Sequence, residues 1–172
     1  MKKTLLLFLL LFPYYYALNA QRVQERFFGY CFYSEISFLE DAMNKRGYTN
    51  QKGLNELKAY DVSFGGYNWP FVTFSFFKNQ MYCVSFSNNC KTKKESQDLY
   101  NSLLSSLKSK YGELCSNLQY GEGIIVHDGS RCLILDTEYS SSKGGDMYYY
   151  VSLNYYHVAL WDKCREAEKN EL

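Results

Sequence analysis

The sequence predicts an α+β domain: a two-layer sandwich in which an antiparallel sheet carries two helices on one face. Two patterns point there directly, since several extended segments alternate apolar with polar residues and lie at hairpin spacing, while two others repeat apolar residues at helical spacing. Aromatic content adds a third observation. Of 18 tyrosines and 12 phenylalanines, all but Tyr14, Tyr15, Tyr16, Phe8 and Phe12 lie beyond residue 20, and large flat side chains pack well on a pleated surface. Such residues are most often core and sheet filler. The sharper alternative is an aromatic sheet face that meets a sugar or a peptide.

The chain begins with Lys2 and Lys3, an unbroken apolar run over 5–12, the breaker Pro13 and the small residues of Ala17-Leu18-Asn19-Ala20. This is the pattern of a secretory signal peptide. It divides the chain into a signal over 1–20 and a single exported domain over 21–172, periplasmic or secreted. The apolar run is far shorter than the ~20 residues of a spanning helix. The first cysteine, Cys31, lies too far downstream to take a lipid at the cut. About 150 residues suffice for one core. With Lys2 and Lys3 removed, the 19 basic residues fall to near parity with the 18 acidic ones. A near-neutral chain argues against a nucleic-acid partner, which needs a basic stripe to meet phosphates.

In order along the chain, 27–33 is an aromatic run suited to a strand. A helix follows over about 35–46, with Ser34 as N-cap, Ile36, Leu39 and Met43 on one stripe, and Gly47 as terminator. Residues 61–64 read as extended, 65–70 (Gly65-Gly66-Tyr67-Asn68-Trp69-Pro70) as a loop, and 71–77 and 80–86 as a hairpin joined by Lys78-Asn79. In that hairpin Val72, Phe74 and Phe76 alternate on one strand, and Tyr82, Val84 and Phe86 on the other. Thr92 and Glu95 form a capping box for a second helix, whose apolar stripe is Leu99, Leu103, Leu107 and Tyr111 and whose stop is Gly112. The short lysine run Lys91-Thr92-Lys93-Lys94 belongs to this solvated helix start. A hairpin over 123–126 and 131–138 turns at Asp128-Gly129, which suits a tight turn. After a flexible connection over 140–145, 147–160 reads as one long strand, with Tyr149, Val151, Leu153 and Tyr155 alternating against Tyr148, Tyr150, Ser152 and Asn154.

Residues 34–87 and 92–160 thus share an order, one helix followed by three or four antiparallel strands, which suggests an internal duplication with the second sheet face left to water. In element order, export signal and size, the chain resembles the small exported bacterial proteins of the β-lactamase-inhibitor-like group. That resemblance rests on no diagnostic motif, and each half has one helix where the group has a helical pair. It implies a noncatalytic protein that holds a partner on its exposed sheet face.

Cys31, Cys83, Cys90, Cys115, Cys132 and Cys164 make an even set in an oxidising compartment, so three disulfides are expected, with connectivity open among fifteen pairings. No CxxC pair or Cys-His cluster points to a metal, and no cofactor fingerprint is present. His127 beside its turn and His157 at a strand end read as structural. For glycoside cleavage, Asp61, Glu122, Asp136 and Glu138 are the acids near strands, and two of them would have to converge across a cleft. The 65–70 loop offers Tyr67 and Trp69 as partner-contacting rings. Trp69 folded back into the core is the opposing expectation. The chain ends in Lys169-Asn170-Glu171-Leu172, one residue from a retention signal that has meaning only in a eukaryotic secretory pathway. The function expected is therefore a noncatalytic exported binding domain whose ligand is a protein or glycan. The alternative is a hydrolase acting on envelope or extracellular polymers.

Overall fold

The computed structural model describes residues 22–119, 123–141 and 147–170. The signal segment, Glu122, the connection after Ser141 and the last two residues lie outside that set. Among the described residues no helix is long and apolar enough to cross a membrane.

A small hairpin, β1 (Arg26–Phe27) and β2 (Tyr30–Cys31), comes first. The aromatic run expected as one strand folds back on itself here, because Phe28 and Gly29 adopt positive φ and make a two-residue turn. Then come α1 (Ile36–Lys45), β3 (Asn50–Lys52), β4 (Glu56–Phe64), β5 (Tyr67–Phe77) and β6 (Gln80–Cys90). The second half repeats the order: α2 (Lys93–Tyr111), a 3-10 turn over Gly112–Leu114, β7 (Cys115–Asn117), β8 (Gly123–His127), β9 (Arg131–Ser141) and β10 (Met147–His157). A third helix, α3 (Val158–Asn170), closes the chain.

All eight strands of the main sheet are antiparallel, in the order β3-β4-β5-β6-β10-β9-β8-β7. Each half therefore contributes four strands, and the last strand of each meets the other at the centre. The expected duplication is present in the fold. β6 and β10 run in register from Tyr149↔Cys90 to Tyr156↔Cys83.

Local chemistry explains most of the boundaries. Thr92 Oγ1 accepts from Glu95 N at 3.2 Å, which satisfies one unpaired helix-start donor, and Glu95 Oε2 accepts at 2.9 Å from the N–H of Lys91, the residue before the cap. α1 starts one residue later than expected, with Glu35 rather than Ser34 at the cap and no side-chain cap bond. Ile36 N instead donates to Asn79 Oδ1. Lys78 and Asn79 both take positive φ, the two-residue turn that joins β5 to β6. One extra residue, Tyr82, bulges from β6, since Ser75 pairs with Cys83 and Phe76 with Met81. The bulge takes Tyr82 off the face of Val84 and Phe86, where simple alternation had put it.

The core lies between the sheet and the layer of α1, α2 and the β1–β2 hairpin. Phe86 is its hub: Phe64 stacks on it at 4.4 Å, Trp69 tilts against it at 5.4 Å and Tyr155 meets it edge-on. Most large aromatic side chains sit here, so the high aromatic content chiefly builds the core. The opposite face is covered at one end only. There α3 packs on β6 and β10, stacking Trp161 on Tyr156 at 4.7 Å and burying Leu160 with Cys83 and Cys132. This helix was unforeseen, because Val158, Leu160 and Trp161 extend the apolar run of β10 with no cap residue to mark the change.

Candidate functional site

Cross-strand partners share a face, so the register identifies the side chains on the sheet surface that α1 and α2 leave uncovered. Next to α3 lies the row Lys58, Thr73, Ser85, Asn154 and Ile134, followed by Tyr60, Phe71, Ser87, Ser152 and Asp136. Beyond them come Asn89, Tyr150 and Glu138. These residues are partly exposed, apart from Asn89 and Glu138, which are exposed. The face is thus rich in hydroxyls and amides, with Tyr60 and Phe71 paired at one side and Tyr150 near the other.

Its centre is pre-ordered. Asn154 Oδ1 accepts from Ser85 Oγ, and Asn154 Nδ2 donates to Ser152 Oγ at 3.0 Å. Those bonds fix the amide plane across β6 and β10 and leave one amide N–H and the Ser152 hydroxyl proton for a ligand. At the rim, Tyr60 donates to Gln51 Oε1 at 3.3 Å. Lys58 pairs with Glu56 at 3.1 Å. Asp136 is raised above the ordinary carboxylate value by burial, partly offset by the Thr137 N–H that it accepts at 2.7 Å.

Among the described residues, Asp61, Asp136 and Glu138 do not assemble into a catalytic pair across a cleft. Asp61 is on β4 and Asp136 on β9, four strand spacings apart, roughly 19 Å; paired glycosidase carboxyls lie within about 10 Å of each other. Asp136 and Glu138 are close, but they stand side by side on one strand rather than across a cleft. Glu122 lies outside the described residues.

Residues 65–70 are not a loop. Only Gly65 and Gly66 turn, both at positive φ, and β5 already runs from Tyr67. Pro70 is tolerated because pairing of β5 with β6 starts at Phe71, and on the other side Pro70 falls opposite the irregular Asp61, whose φ is positive. Trp69 is 1% exposed and donates Nε1–H to Phe64 O at 3.1 Å. It plugs the core, as the opposing expectation had it, and is not a free surface ring. Tyr67 remains half-buried, its hydroxyl 3.0 Å from Ser102 Oγ. Both residues line one cavity between the β4–β5 turn and α2.

All six cysteines are free thiols, so the three expected disulfides are absent from the structure. Cys83 and Cys132 show the reason most clearly, since both pair with Tyr156, one from each side. Two strand spacings separate them, roughly 9.6 Å, beyond the ~7 Å Cα reach of a disulfide. Burial pushes Cys83 up to about 12 and Cys132 up to about 11, which leaves almost no thiolate at neutral pH and makes both inert. Among the described residues no group of three or more His, Cys, Asp and Glu side chains is placed to hold a metal.

The histidines serve local structure. His127 Nδ1 accepts from Gly129 N at 3.2 Å within the β8–β9 turn. His157 sits under Tyr33, 3.4 Å from its hydroxyl, and burial with the nearby Arg131 charge lowers its pKa. Sequence reasoning missed the Ser85–Asn154–Ser152 network, because it is assembled from strands 69 residues apart. The alternation of 147–155 had, however, placed Ser152 and Asn154 together on one face.

No family model, curated protein or solved structure matches this chain.

Proposed function

We propose that this protein is an exported, noncatalytic module that binds a neutral glycan on its uncovered sheet face. The observation that carries the reading is the pre-ordered Ser85–Asn154–Ser152 network flanked by Tyr60 and Phe71. Hydroxyls and amides that both donate and accept suit a polyhydroxyl ligand, and flat rings suit the apolar faces of sugar rings.

Two magnitudes favour a glycan over a protein on this face. The five strands from β4 to β9 span roughly 19 Å, and the uncovered length is of similar order, so the patch projects about 400 Å². A standard protein interface takes ~800 Å² from each partner and is depleted in serine at its core. Near-neutral composition and the acids Asp136 and Glu138 disfavour an anionic polymer. Export rests on the N-terminal signal pattern. Inert buried thiols such as Cys83 and Cys132 are compatible with an oxidising compartment.

The test is affinity electrophoresis of the 21–172 protein through gels carrying neutral polysaccharides, followed by calorimetry on any that retard it. Asn154→Ala is expected to weaken binding about fivefold to tenfold, one or so net hydrogen bonds, and Phe71→Ala about tenfold, with melting temperatures nearly unchanged. Failure of every neutral polymer to retard the protein would sink the reading. Release of reducing ends would replace it with the hydrolase alternative.

A further inference from the structure

A cleft of ≈ 440 Å³ opens on the helix-covered side of the sheet, between the first two turns of α2 and the far end of the β9–β10 hairpin. That end overhangs the sheet, because β6 leaves β10 at Tyr149 whereas β9 stays paired with it as far as Met147. Tyr139, Tyr149 and Met147 form one wall. Tyr139 is 75% and Met147 44% exposed, so the overhang presents apolar surface that lies outside the core.

The facing wall breaks the pattern of its helix. Lys93, Ser96 and Gln97 line it at i, i+3 and i+4, and Ser96 stands one heptad ahead of Leu103 on the stripe that buries Leu103, Leu107 and Tyr111. A polar residue occupies a core position there. Ser96 is 6% exposed, yet its hydroxyl makes no hydrogen bond among the described residues, and only its N–H is paired, with Thr92 O. Among the described residues Tyr111 alone carries a side-chain polar atom that is both unpaired and fully enclosed, so the unpaired Ser96 hydroxyl keeps a surface open to the cleft that this residue lines. Alanine would serve the fold better, being the best helix former and leaving no buried hydroxyl without a partner.

Charge selects the ligand. Lys93 makes no ion pair among the described residues, whereas Lys94 beside it is held by Asp98. Its ammonium and the positive end of the α2 dipole favour an anion. Glu138 also touches the cleft, but alternation with Tyr139 along β9 turns its side chain to the opposite face of the sheet.

We infer that this cleft binds a small organic anion, a carboxylate carried on a flat apolar body. Lys93 pairs with the carboxylate, Ser96 donates to one of its oxygens, and Tyr139, Tyr149 and Met147 hold the body. The site does not rest on the glycan reading, because these side chains lie on the other face of the sheet.

The probes are 2-naphthoate and its uncharged isostere 2-naphthamide, titrated into the 21–172 protein and followed by backbone amide chemical shifts. Naphthoate should move the amides of Ser96, Tyr139 and Tyr149 and bind about fivefold tighter than naphthamide, the ~1 kcal/mol of a favourable exposed ion pair. Lys93→Gln should erase that preference, and Lys94→Gln should keep it. Both lysines are exposed, so these variants retain the fold. Ser96→Ala should weaken both probes about fivefold, the worth of one net hydrogen bond, and should melt no lower than wild type. No saturable shift at those amides, equal affinity for the two probes, a preference that survives Lys93→Gln or is lost with Lys94→Gln, or a Ser96→Ala protein that binds at full strength or melts lower would each overturn the inference.

Discussion

Replacing Trp69 with alanine should damage the fold far more than any surface interaction. The side chain is 1% exposed, packs on Phe86 with ring centroids 5.4 Å apart and donates to Phe64 O at 3.1 Å across the Gly65-Gly66 turn. Truncating a buried tryptophan costs ~3 to 5 kcal/mol from lost transfer energy and the cavity left behind. The Phe64 carbonyl, deprived of its donor, adds about 1 kcal/mol. For a domain of this length each kcal/mol lowers the melting temperature by roughly 2 to 4 °C. A total of about 4 to 6 kcal/mol therefore means a drop of about 8 to 24 °C. Trp69→Phe, which keeps a ring but loses the indole N–H, should lie well below half of that. Thermal melts followed by far-ultraviolet circular dichroism measure both. Trp161 is the only other tryptophan, so in a Trp161→Phe background the emission of Trp69 should be blue-shifted and poorly quenched by acrylamide. A Trp69→Ala protein that melts within about 3 °C of wild type would refute this account of the core.

Three further outcomes follow from particular contacts. Thr92→Ala removes the acceptor for Glu95 N and should destabilise by ~1 kcal/mol, with Thr92→Ser recovering most of it in urea denaturation; no loss would mean the cap bond contributes nothing. Asp128 is pushed up by burial, yet the N–H groups of Arg131, Val23 and Ser130 and the Arg131 charge outweigh that and hold it below the usual carboxylate value. A lowered folded value means stability that is present above the unfolded value near 3.9 and lost as pH falls through the folded one. Asp128→Asn should therefore be about 1 to 2 kcal/mol less stable than wild type at pH 7, with the gap closing toward pH 2. An equal gap at both pH values would remove the charge as its cause. Denatured, unreduced protein should titrate six thiols with Ellman's reagent, whereas in the native protein Cys83 and Cys132 should react slowest; a count below six would mean that disulfides have formed.

Patterns confined to a short window could be read directly from the sequence. The Thr92–Glu95 box, the Leu103, Leu107 and Tyr111 stripe, the Lys78-Asn79 turn and the alternation of 71–77 and 147–155 each depend on residues a few positions apart, and backbone sterics and hydrogen bonding make such signals self-sufficient. The repeated order of elements, and with it the α+β sandwich, followed from them. The fate of Trp69 was set elsewhere: two glycines and a proline read locally as a loop, but the chance to bury the indole on Phe86, 17 residues later, extends β5 through them. The bulge at Tyr82 arises from matching β6 to β5. α3 becomes visible as a separate helix only when it packs across Tyr156 and Cys83. Pairing of the cysteines was beyond any spacing argument, because the interposed Tyr156 strand separates Cys83 from Cys132. The same holds for the candidate sites. Ser85 meets Asn154, and Tyr67 meets Ser102, only because tertiary packing brings together segments whose separation in sequence carries no local signal.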